Sequence, residues 1–348
     1  MRRHDFLPNL YPPIRMMIRS LAILIVLILS SHAFGQRVTT KADDGVNGVA
    51  GADSDRHLFP GVPDDRWLSI PRWAENGALN FLWHQTGLRS RLKRGAFDLV
   101  HIPSYRRIIR RCPIPQVATI HDCAPFELRD KYDALRGWFG RSLIPVLARK
   151  CDHVISVCQV SADAIVKYMG VKRDNVSVIR NGSDHGHCFP RPTVEIEKFL
   201  AEHGEQSGGY FLYVARLEHP GKNHLRLIEA FEEFRKRNPE NPVRLLLAGA
   251  DWHGAAEIHA RIKKSPAADS IRCLGFVPDE DLPLWYGGAR AMVMPSLFEG
   301  FGLPVAEALA CGTLVACSEL PVLKEVGGSA VTSFDPEDPV AICRSLEE

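Results

Sequence analysis

Two glutamates, Glu299 and Glu307, stand eight positions apart in the segment VMPSLFEGFGLPVAEALACG, residues 293–312. A glycine-broken turn separates them, and a helical pattern then begins with a proline. Gly300 and Gly302 permit a tight turn and let a ligand approach the backbone amides. Proline favours the first helical position, and a helix N-terminus presents unpaired N–H groups with positive potential. The segment therefore predicts a phosphate or anion site, flanked by carboxylates that accept hydrogen bonds from sugar or ribose hydroxyls.

A pair of cations occurs in the segment YVARLEHPGKN, residues 213–223. Arg216 ends an apolar strand pattern, and Lys222 follows six positions later, directly before a predicted helix. Two fixed cations can hold a diphosphate and stabilise the negative charge that develops as it leaves. Either residue alone would be interpreted as an ordinary surface side chain. Their place at the end of a strand favours the functional interpretation.

A histidine, His121, follows another apolar run, VATI, at the end of a predicted strand. The carboxyl ends of parallel strands line the ligand sites of open α/β folds. A His-Asp dipeptide is also typical of a turn that caps the next segment. We favour the functional role because the second half of the chain carries the rest of a site.

Apolar strand patterns alternate with amphipathic helix patterns twice, over residues 97–182 and 210–317. Such alternation with short turns predicts an α/β fold of two doubly wound, Rossmann-like parallel sheets. We place the first domain at residues 1–190 and the second at 209–348. Residues 191–208, bounded by Pro and Gly, are predicted as a linker with a short helix.

The first 36 residues allow two interpretations. An unbroken apolar run, residues 21–29, follows a basic start and precedes a small-residue segment, which is typical of a signal peptide or anchor. The run is equally typical of a central parallel strand, and it is short for a transmembrane helix. The nine cysteines are odd in number and contain no C-x-x-C pair, which favours a reducing compartment and hence the strand. Residues 37–75, mixed and rich in Gly and Asp, are predicted as loop.

Charge is distributed unevenly along the 348 residues. Residues 1–190 carry 27 Lys and Arg against 17 Asp and Glu, whereas residues 191–348 carry 16 against 24. A basic cluster in the first half contains Arg106, Arg107, Arg110 and Arg111. It is either a solvated helix face or a surface for an anionic membrane or a phosphate-bearing acceptor. We expect no nucleic-acid partner, because aromatic residues are not interleaved with the charges.

Two short patterns contain types of residue that bind metals. Asp53 and Asp55 form D-x-D in a Gly/Asp-rich stretch without a preceding strand, so a solvated loop is expected. The segment SDHGHC, residues 183–188, combines Asp, His and Cys at short spacing but follows a strand where a polar loop is expected. We predict no bound metal at either place.

The chain resembles the retaining nucleotide-sugar glycosyltransferases of family 4, which have the GT-B fold of two Rossmann-like domains facing across a cleft. The resemblance covers roughly residues 97–340. It rests on TIHDCAPF, VISVCQVSADAIVKYMGV, VSVIRNGSD, YVARLEHPGKN and the segment 271–312. The combination of E-x7-E with Gly-Phe-Gly and the Arg–Lys pair is specific, whereas E-x7-E alone would be weak.

The resemblance implies a role for each matching residue. At the phosphates of the donor, the resemblance implies binding by Arg216 and Lys222, and by the amides near Leu303. At the sugar it implies Glu299 together with the backbone amides of Gly300, Phe301 and Gly302. It implies that Glu307 binds the ribose and that the backbone of Phe276 and Val277 lies by the base. Catalytic roles are implied for His121, Arg216, Lys222 and Glu299. In a front-side route, the leaving phosphate helps to deprotonate the acceptor, so no enzyme base is required.

The implied activity is transfer of a hexose, with mannose the commonest in the family, from a GDP- or UDP-sugar to a glycan or lipid-linked acceptor with retention of configuration. The implied first domain is the acceptor side and the second the donor side. We expect no cofactor beyond the donor substrate. The expected location is the cytoplasm, at the inner face of the membrane, in polysaccharide or glycolipid assembly.

Other functions remain open. A sugar-nucleotide epimerase or a phosphorylase could share the fold, although the paired glutamates and cations favour transfer. A catalytically impaired relative, acting as a binding or membrane-tethered protein, is the other alternative. This alternative is supported by the beginning of the chain, where the family has a glycine-rich loop that opens a helix. The candidate segments here are FGQRVTT and DDGVNGVAG, and no convincing helix pattern follows either of them. The chain also ends before the long helix that crosses back to the first domain, so we expect a truncated second domain.

Overall fold

The computed structural model describes residues 23–26, 46–51, 67–74, 77–95, 97–128 and 137–348. The chain forms two compact units, residues 1–180 and 181–348. Each unit contains a single parallel sheet among its described residues, with helices in the connections between strands. The predicted α/β class with two Rossmann-like sheets is therefore confirmed.

Unit 1 has a seven-stranded sheet in the order β3-β2-β1-β4-β5-β6-β7. Its strands are β1 (Ile23–Val26), β2 (Val46–Gly51), β3 (Trp67–Ser69), β4 (Leu99–Ile102), β5 (Gln116–Ile120), β6 (His153–Ser156) and β7 (Val176–Val178). All five residues of β5 are buried, as expected of a parallel strand that is covered on both faces.

The described helices of unit 1 include three that contain a π-helical turn. The first runs from α1 (Gly77–Trp83) through a π turn (His84–Leu88) into α2 (Arg89–Arg94). The second is α4 (Ile144–Ala148), which follows the π turn Phe139–Leu143, and the third is α5 (Gln159–Ala164), which precedes the π turn Ile165–Met169. The short helix α3 (Ala124–Glu127) lies between the first and the second of these. Short 3-10 turns span Arg72–Ala74, Tyr105–Arg107 and Arg173–Asn175.

The beginning of the chain contributes strands to the sheet of unit 1. Four residues of the apolar run 21–29 form β1, which pairs in parallel with β2 and β4. The rest of residues 1–36 lies outside the described residues. The loop prediction for residues 37–75 is wrong at β2 and β3, because parallel neighbours supply the hydrogen bonds that the weak local pattern does not announce.

Unit 2 has a six-stranded sheet in the order β10-β9-β8-β11-β12-β13. Its strands are β8 (Tyr210–Val214), β9 (Arg244–Ala248), β10 (Ile271–Gly275), β11 (Ala291–Met294), β12 (Val315–Ser318) and β13 (Val331–Phe334). Its helices are α6 (Thr193–Glu202), α7 (His224–Arg237), α8 (Ala255–Lys263), α9 (Leu282–Gly288), α10 (Leu303–Ala310), α11 (Pro321–Gly327) and α12 (Pro339–Glu347).

Helix α7 shows how sequence pattern becomes packing. Leu227, Ile228, Phe231 and Phe234 recur at helical spacing, and all are buried. The ring of Phe234 meets the edge of Phe211 in β8, with 5.4 Å between centroids. Three basic residues in the last turn complement the helix dipole.

The segment predicted as a linker, residues 191–208, contains α6. This helix packs on α9: a Cβ placed on Gly288 would lie 2.5 Å from Cδ1 of Leu200. Beyond the helix, the buried carboxylate of Glu205 accepts hydrogen bonds from Arg244 and Arg272, at 2.7 and 3.0 Å. The segment is thus packed into unit 2.

The strand order of each sheet reverses at one point. In unit 2 it reverses between β8 and β11, and in unit 1 between β1 and β4. Open α/β sheets bind ligands at such a reversal, outside the carboxyl ends of the strands. In unit 2, Lys222 lies in the loop after β8 and Glu299 in the loop after β11. The fold therefore brings these two loops to the expected ligand position.

No helix in the part of the chain that the structure describes combines the length and apolarity that a bilayer crossing requires.

Candidate functional site

An ion pair joins the two loops at the strand reversal of unit 2. Lys222 Nζ lies 2.7 Å from Glu299 Oε1, and their side chains are 18% and 11% exposed. The backbones of the loops also meet, since the N–H of Leu297 donates to the carbonyl of Gly221 at 3.0 Å. Two residues 77 positions apart are thus held together at the edge where ligands bind.

The backbone at Lys222 is fixed from inside the sheet. The hydroxyl of Tyr213, in β8, donates to the carbonyl of Lys222 at 2.8 Å and lies 3.1 Å from Oγ of Ser296. Burial raises the pKa of Tyr213 well above its ordinary value, so the phenol keeps its proton and its role as donor. The position of Lys222 is therefore determined by the core.

The neighbouring Asn223 connects three loops. It adopts a left-handed conformation with φ of 58°, which asparagine tolerates better than most residues. Its side-chain amide donates to the carbonyls of Pro295 and Pro336, at 2.9 and 2.8 Å, and its oxygen accepts from Arg226 at 3.1 Å. These contacts tie the loop after β8 to the loops after β11 and β13.

Arg216 is positioned by a carboxylate and an aromatic ring. Its guanidinium lies 3.5 Å from the buried Glu218 and stands over the indole of Trp252, 4.7 Å from the ring centroid. Backbone hydrogen bonds from Leu217 to Ala250 and from Trp252 to Leu217 join the two loops, at 3.0 and 3.1 Å. The orientation of Arg216 therefore depends on the loop after β9.

Replacing Trp252 by alanine should raise the KM for the nucleotide-sugar donor that the sequence predicts by about fivefold, because a partly exposed cation–π contact is worth on the order of 1 kcal/mol. Trp252→Phe keeps an aromatic face and should retain most of the affinity. Steady-state kinetics with varied donor measure the effect, with Trp73→Ala in unit 1 as the control. An unchanged donor KM in Trp252→Ala would show that the indole does not hold Arg216 for binding.

The Gly-Phe-Gly turn leads directly into α10. Gly302 has φ of 92°, and a Cβ there would lie 2.4 Å from Cδ2 of Leu323. The left-handed backbone at this position therefore favours glycine, and a Cβ would also displace the buried side chain of Leu323. Helix α10 begins at Leu303, one residue before Pro304, so its first backbone N–H groups follow the turn. Phe301 is buried, which anchors the turn to the unit.

The second glutamate, Glu307, lies within α10 and is mostly buried. The hydroxyl of Tyr286 donates to its Oε2 at 3.1 Å. Burial raises the pKa of Glu307 above its ordinary value; the Tyr286 hydroxyl opposes this rise, the Asp279 carboxylate adds to it, and His187 lowers it. The E-x7-E spacing thus puts Glu299 before the helix and Glu307 in its second turn.

Tyr286→Phe should move the acidic limb of kcat/KM for the donor to higher pH. In the role predicted for Glu307, a ribose hydroxyl donates to the charged carboxylate, so activity is expected to fall as the pH drops through the raised pKa of Glu307. Loss of the Tyr286 hydroxyl raises that pKa further. Tyr210→Phe is the matched control, because its buried hydroxyl donates to the carbonyl of Trp285. Identical pH profiles for parent and Tyr286→Phe would contradict the role of Glu307.

The residues predicted beside the base follow β10, which lies two strands away from β8 in the sheet. Phe276 and Val277 directly follow β10, and the side chain of Phe276 is 74% exposed. The strand ends at Gly275, whose carbonyl accepts from the N–H of Gly249 at 2.7 Å. The carboxyl end of β10 is thereby held beside that of β9.

His121 lies in unit 1, at the carboxyl end of β5. Its Nε2 is 2.9 Å from the carbonyl of Pro103, which can only accept, so this nitrogen carries the proton in the contact. Ser161 Oγ donates to the carbonyl of His121 at 3.2 Å. The neighbouring His101 has its pKa lowered to about 4, by burial and then by His121, and is therefore neutral near pH 7. The contact with Pro103 thus orients the exposed ring of His121.

Several residues of the site were missed by the sequence prediction. Trp252, Glu218, Asn223 and Tyr286 hold the predicted residues in place. A signal existed for Trp252, because ADWHG follows an apolar strand pattern as the predicted loops do. Asn223 could have been found from its type, because an asparagine directly before a predicted helix tolerates a left-handed backbone. Tyr286 could not, because its contact with Glu307 joins two helices.

The segment SDHGHC forms contacts with other protein groups. Asp184 caps the N–H of Gly186 at 2.9 Å, and His187 Nε2 contacts the carbonyl of Asp279. Cys188 is buried beside Cys311. Among the described residues, no three His, Cys, Asp or Glu side chains gather as a metal site would require. Asp53 and Asp55 lie outside the described residues.

Two family models match the chain. "Glycosyl transferases group 1" matches residues 195–348, and "Glycosyltransferase Family 4" matches residues 49–187. Together they span most of both units.

Curated relatives include mannosyltransferases. O-antigen chain mannosyltransferase B of Escherichia coli is 31% identical over 230 residues, 65% of this chain and 58% of that protein. O-antigen chain mannosyltransferase RfbU of Salmonella typhimurium is 28% identical over 223 residues, 64% of this chain and 57% of that protein. The matches thus span less than two thirds of the length of these relatives.

Solved structures share the fold. The Anabaena protein HepE, in complex with UDP and glucose, has a TM-score of 0.69 at 17% identity and covers 93% of this chain and 88% of its own. Sucrose-phosphate synthase of Thermosynechococcus elongatus has a TM-score of 0.70 at 18% identity and covers 94% and 89%.

Two Rossmann-like units, with charged and glycine-rich loops at the strand reversal of the second, define a protein of the GT-B class. The chain belongs to the glycosyltransferases of group 1 and family 4.

Proposed function

We propose that this protein transfers a hexose, specifically mannose, from a GDP- or UDP-sugar to a glycan or lipid-linked acceptor, with retention of configuration. The observation that carries the proposal is the Lys222–Glu299 pair, 2.7 Å long, at the strand reversal of unit 2. It stands beside the Gly-Phe-Gly turn and the first amides of α10. A cation, a carboxylate and backbone donors at one sheet edge suit a sugar diphosphate.

In the free protein, Lys222 and Glu299 neutralise each other in a half-buried place. A bound donor can replace both partners, because its diphosphate attracts the ammonium and its sugar hydroxyls donate to the carboxylate. Arg216, with its planar fork of donors, suits a second contact with phosphate. Glu307 is proposed to accept from the ribose, and the backbone of Phe276 and Val277 to lie by the base.

The proposed reaction breaks the bond between the sugar C1 and the oxygen of the distal phosphate. Negative charge develops on that phosphate, and the positive charges of Arg216 and Lys222 stabilise it. An acceptor hydroxyl forms the new bond to C1 from the same face, and its proton passes to the departing phosphate. His121 is proposed to contact the transferred sugar; its Nε2–H is engaged with Pro103, so its contact there is made by the rest of the ring.

The donor sugar and the acceptor rest on relatives. Several curated relatives are named mannosyltransferases, two of them of O-antigen chains, which supports mannose and a glycan acceptor. The Anabaena protein HepE, which shares the fold, is solved in complex with UDP, and this supports a nucleotide donor. All nine cysteines are free, as in proteins of the reducing cytoplasm, where we propose the enzyme works at the inner membrane face.

A donor screen tests the proposal. The purified chain is incubated with GDP- and UDP-sugars and a glycan acceptor, and both nucleotide diphosphate release and glycosylated product are measured. We expect release with a mannose donor, lost in Glu299→Ala and kept in Glu233→Ala, a control at the far end of α7. The anomeric configuration of the product, read by NMR, tests retention. Conversion of the donor sugar without an acceptor would instead indicate an epimerase, and equal release by parent and Glu299→Ala would overturn the site.

A further inference from the structure

One segment of unit 1 carries a concentration of positive charge. Residues 67–116 contain nine Lys and Arg and only two Asp and Glu, a net charge of +7. The exposed basic residues of this segment are Arg72, Lys93, Arg94, Arg106, Arg110 and Arg111. The cluster noted in the sequence is therefore part of a larger basic region, which attracts anions.

Large apolar side chains are exposed on the same part of unit 1: Trp73 (54%), Leu79 (42%), Leu82 (51%) and Trp138 (57%). Leu79 and Leu82 stand three positions apart on one face of α1. Another residue of α1, Phe81, meets Phe139 edge to face at 5.5 Å, which places Trp138 on a neighbouring helix. Exposed apolar side chains therefore lie on two helices that pack against each other, and Trp73 lies on the short turn before the first of them.

The apolar and basic parts belong to one framework. The helix that starts with α1 continues through the π turn into α2, whose last turn carries Lys93 and Arg94. Arg89 Nε donates to the carbonyl of Arg111 at 2.8 Å. On the same helix, Gln85 bonds the carbonyl of Ile108 and the N–H of Arg110, at 2.9 and 2.8 Å. The basic loop is thus fastened to the helix that exposes the leucines.

We propose that these residues form a docking surface for a bilayer that contains anionic phospholipid. The apolar–basic surface comprises Trp73, Leu79, Leu82 and Trp138 with Arg72, Lys93, Arg94, Arg110 and Arg111. A soluble phosphate would use the cations but would leave the exposed Trp and Leu side chains in water. A bilayer interface accommodates both, since lipid phosphates meet the basic groups while Trp and Leu enter the boundary of the acyl chains. The inference rests on the proposed function only for the acceptor, a lipid-linked glycan held in that bilayer.

Vesicle cosedimentation of the full chain tests the surface. We expect binding to vesicles of equal phosphatidylcholine and phosphatidylglycerol, weakened by salt, and little binding to phosphatidylcholine alone. Each basic residue near such a surface contributes about fivefold in affinity. The affinity of the double variant Arg110→Glu, Arg111→Glu for the anionic vesicles should therefore fall by more than about 20-fold. In the double variant Leu79→Asp, Leu82→Asp, the affinity for these vesicles should fall about tenfold or more. Leu314→Asp and Lys236→Glu, at exposed positions of unit 2, are the matched controls and should bind as the parent does.

Three results would overturn the proposal: no binding by the parent, equal binding to both kinds of vesicle, or loss in the arginine variant with full binding by the leucine variant. The last result would indicate a polyanion site for a soluble phosphate or a nucleic acid. Thermal melting checks that each variant is folded, and the single variants Leu79→Asp and Leu82→Asp replace the double one if it is not. Nucleotide diphosphate release with a water-soluble acceptor should be unchanged in the leucine variant. Absence of that release in the parent, with vesicle binding intact, would count against the proposed function alone.

Discussion

Replacing Lys222 by alanine should lower kcat/KM for transfer from the nucleotide sugar by about 1000-fold. Loss of one group that stabilises developing charge in a water-poor site costs about 10²–10³ in rate. Lys222 also neutralises Glu299 at 2.7 Å, so the variant leaves a half-buried carboxylate without its cation. Single-turnover measurement of nucleotide diphosphate release gives the effect.

Two controls separate catalysis from folding. Lys236→Ala removes an exposed lysine from the last turn of α7 and should keep full activity. The double variant Lys222→Met, Glu299→Gln removes both charges of the pair together, so it should melt close to the parent and yet be inactive. Activity within about tenfold of the parent in Lys222→Ala would contradict the assignment of this residue to the leaving diphosphate.

Replacing Gly249 by alanine should lower the free energy of unfolding by about 3 kcal/mol. Gly249 follows β9 with φ of 154°, and a Cβ there would lie 2.0 Å from the carbonyl oxygen of Ala215 and 2.9 Å from the backbone N of Arg216. These are backbone atoms, so a side-chain rotation cannot relieve the clash. The loop that carries Arg216 must move away from β9, and we expect donor affinity to fall together with stability.

A series of glycines in the same unit provides the control for Gly249→Ala. Gly204 has φ of 73°, and a Cβ there would have no atom within 4 Å, so Gly204→Ala tests the conformational cost alone, about 1 kcal/mol. Gly182 also has open space, without a left-handed φ, and should tolerate alanine. Chemical denaturation of the three variants gives the order. A cost for Gly249→Ala no larger than that for Gly204→Ala would show that the two loops are not in close contact.

Local sequence patterns were sufficient to predict the helices and strands that are buried in a regular way. Helix α7 and the strands β8, β9, β11 and β12 agree with the helical spacing and the apolar runs, because most residues of these strands and one face of the helix are buried. The strands β2 and β3 were not predictable in this way. The sequence VNGVAG of β2 is interrupted by glycine, and only pairing with β1 and β3 makes it a strand.

The order of residues along the chain was enough to propose which groups carry the chemistry. Glu299 and Glu307 with the glycine turn between them, and Arg216 and Lys222 after a strand, are recognisable because phosphate and sugar require these types of residue at short spacing. A spacing within one chain segment is local information. It predicts the loop at the end of a strand, and it predicted the family to which the chain belongs.

How those groups are held depends on the folded arrangement of distant segments. The contact between Lys222 and Glu299, the indole of Trp252 over Arg216 and the hydroxyl of Tyr286 on Glu307 join segments far apart in the chain. The exposure of Leu79 and Leu82 was likewise invisible, because their spacing is that of an ordinary buried helix face. Contacts between side chains that are distant in the sequence depend on the strand order and on the backbone geometry of the loops. The spacing of residues along the chain carries no information about either.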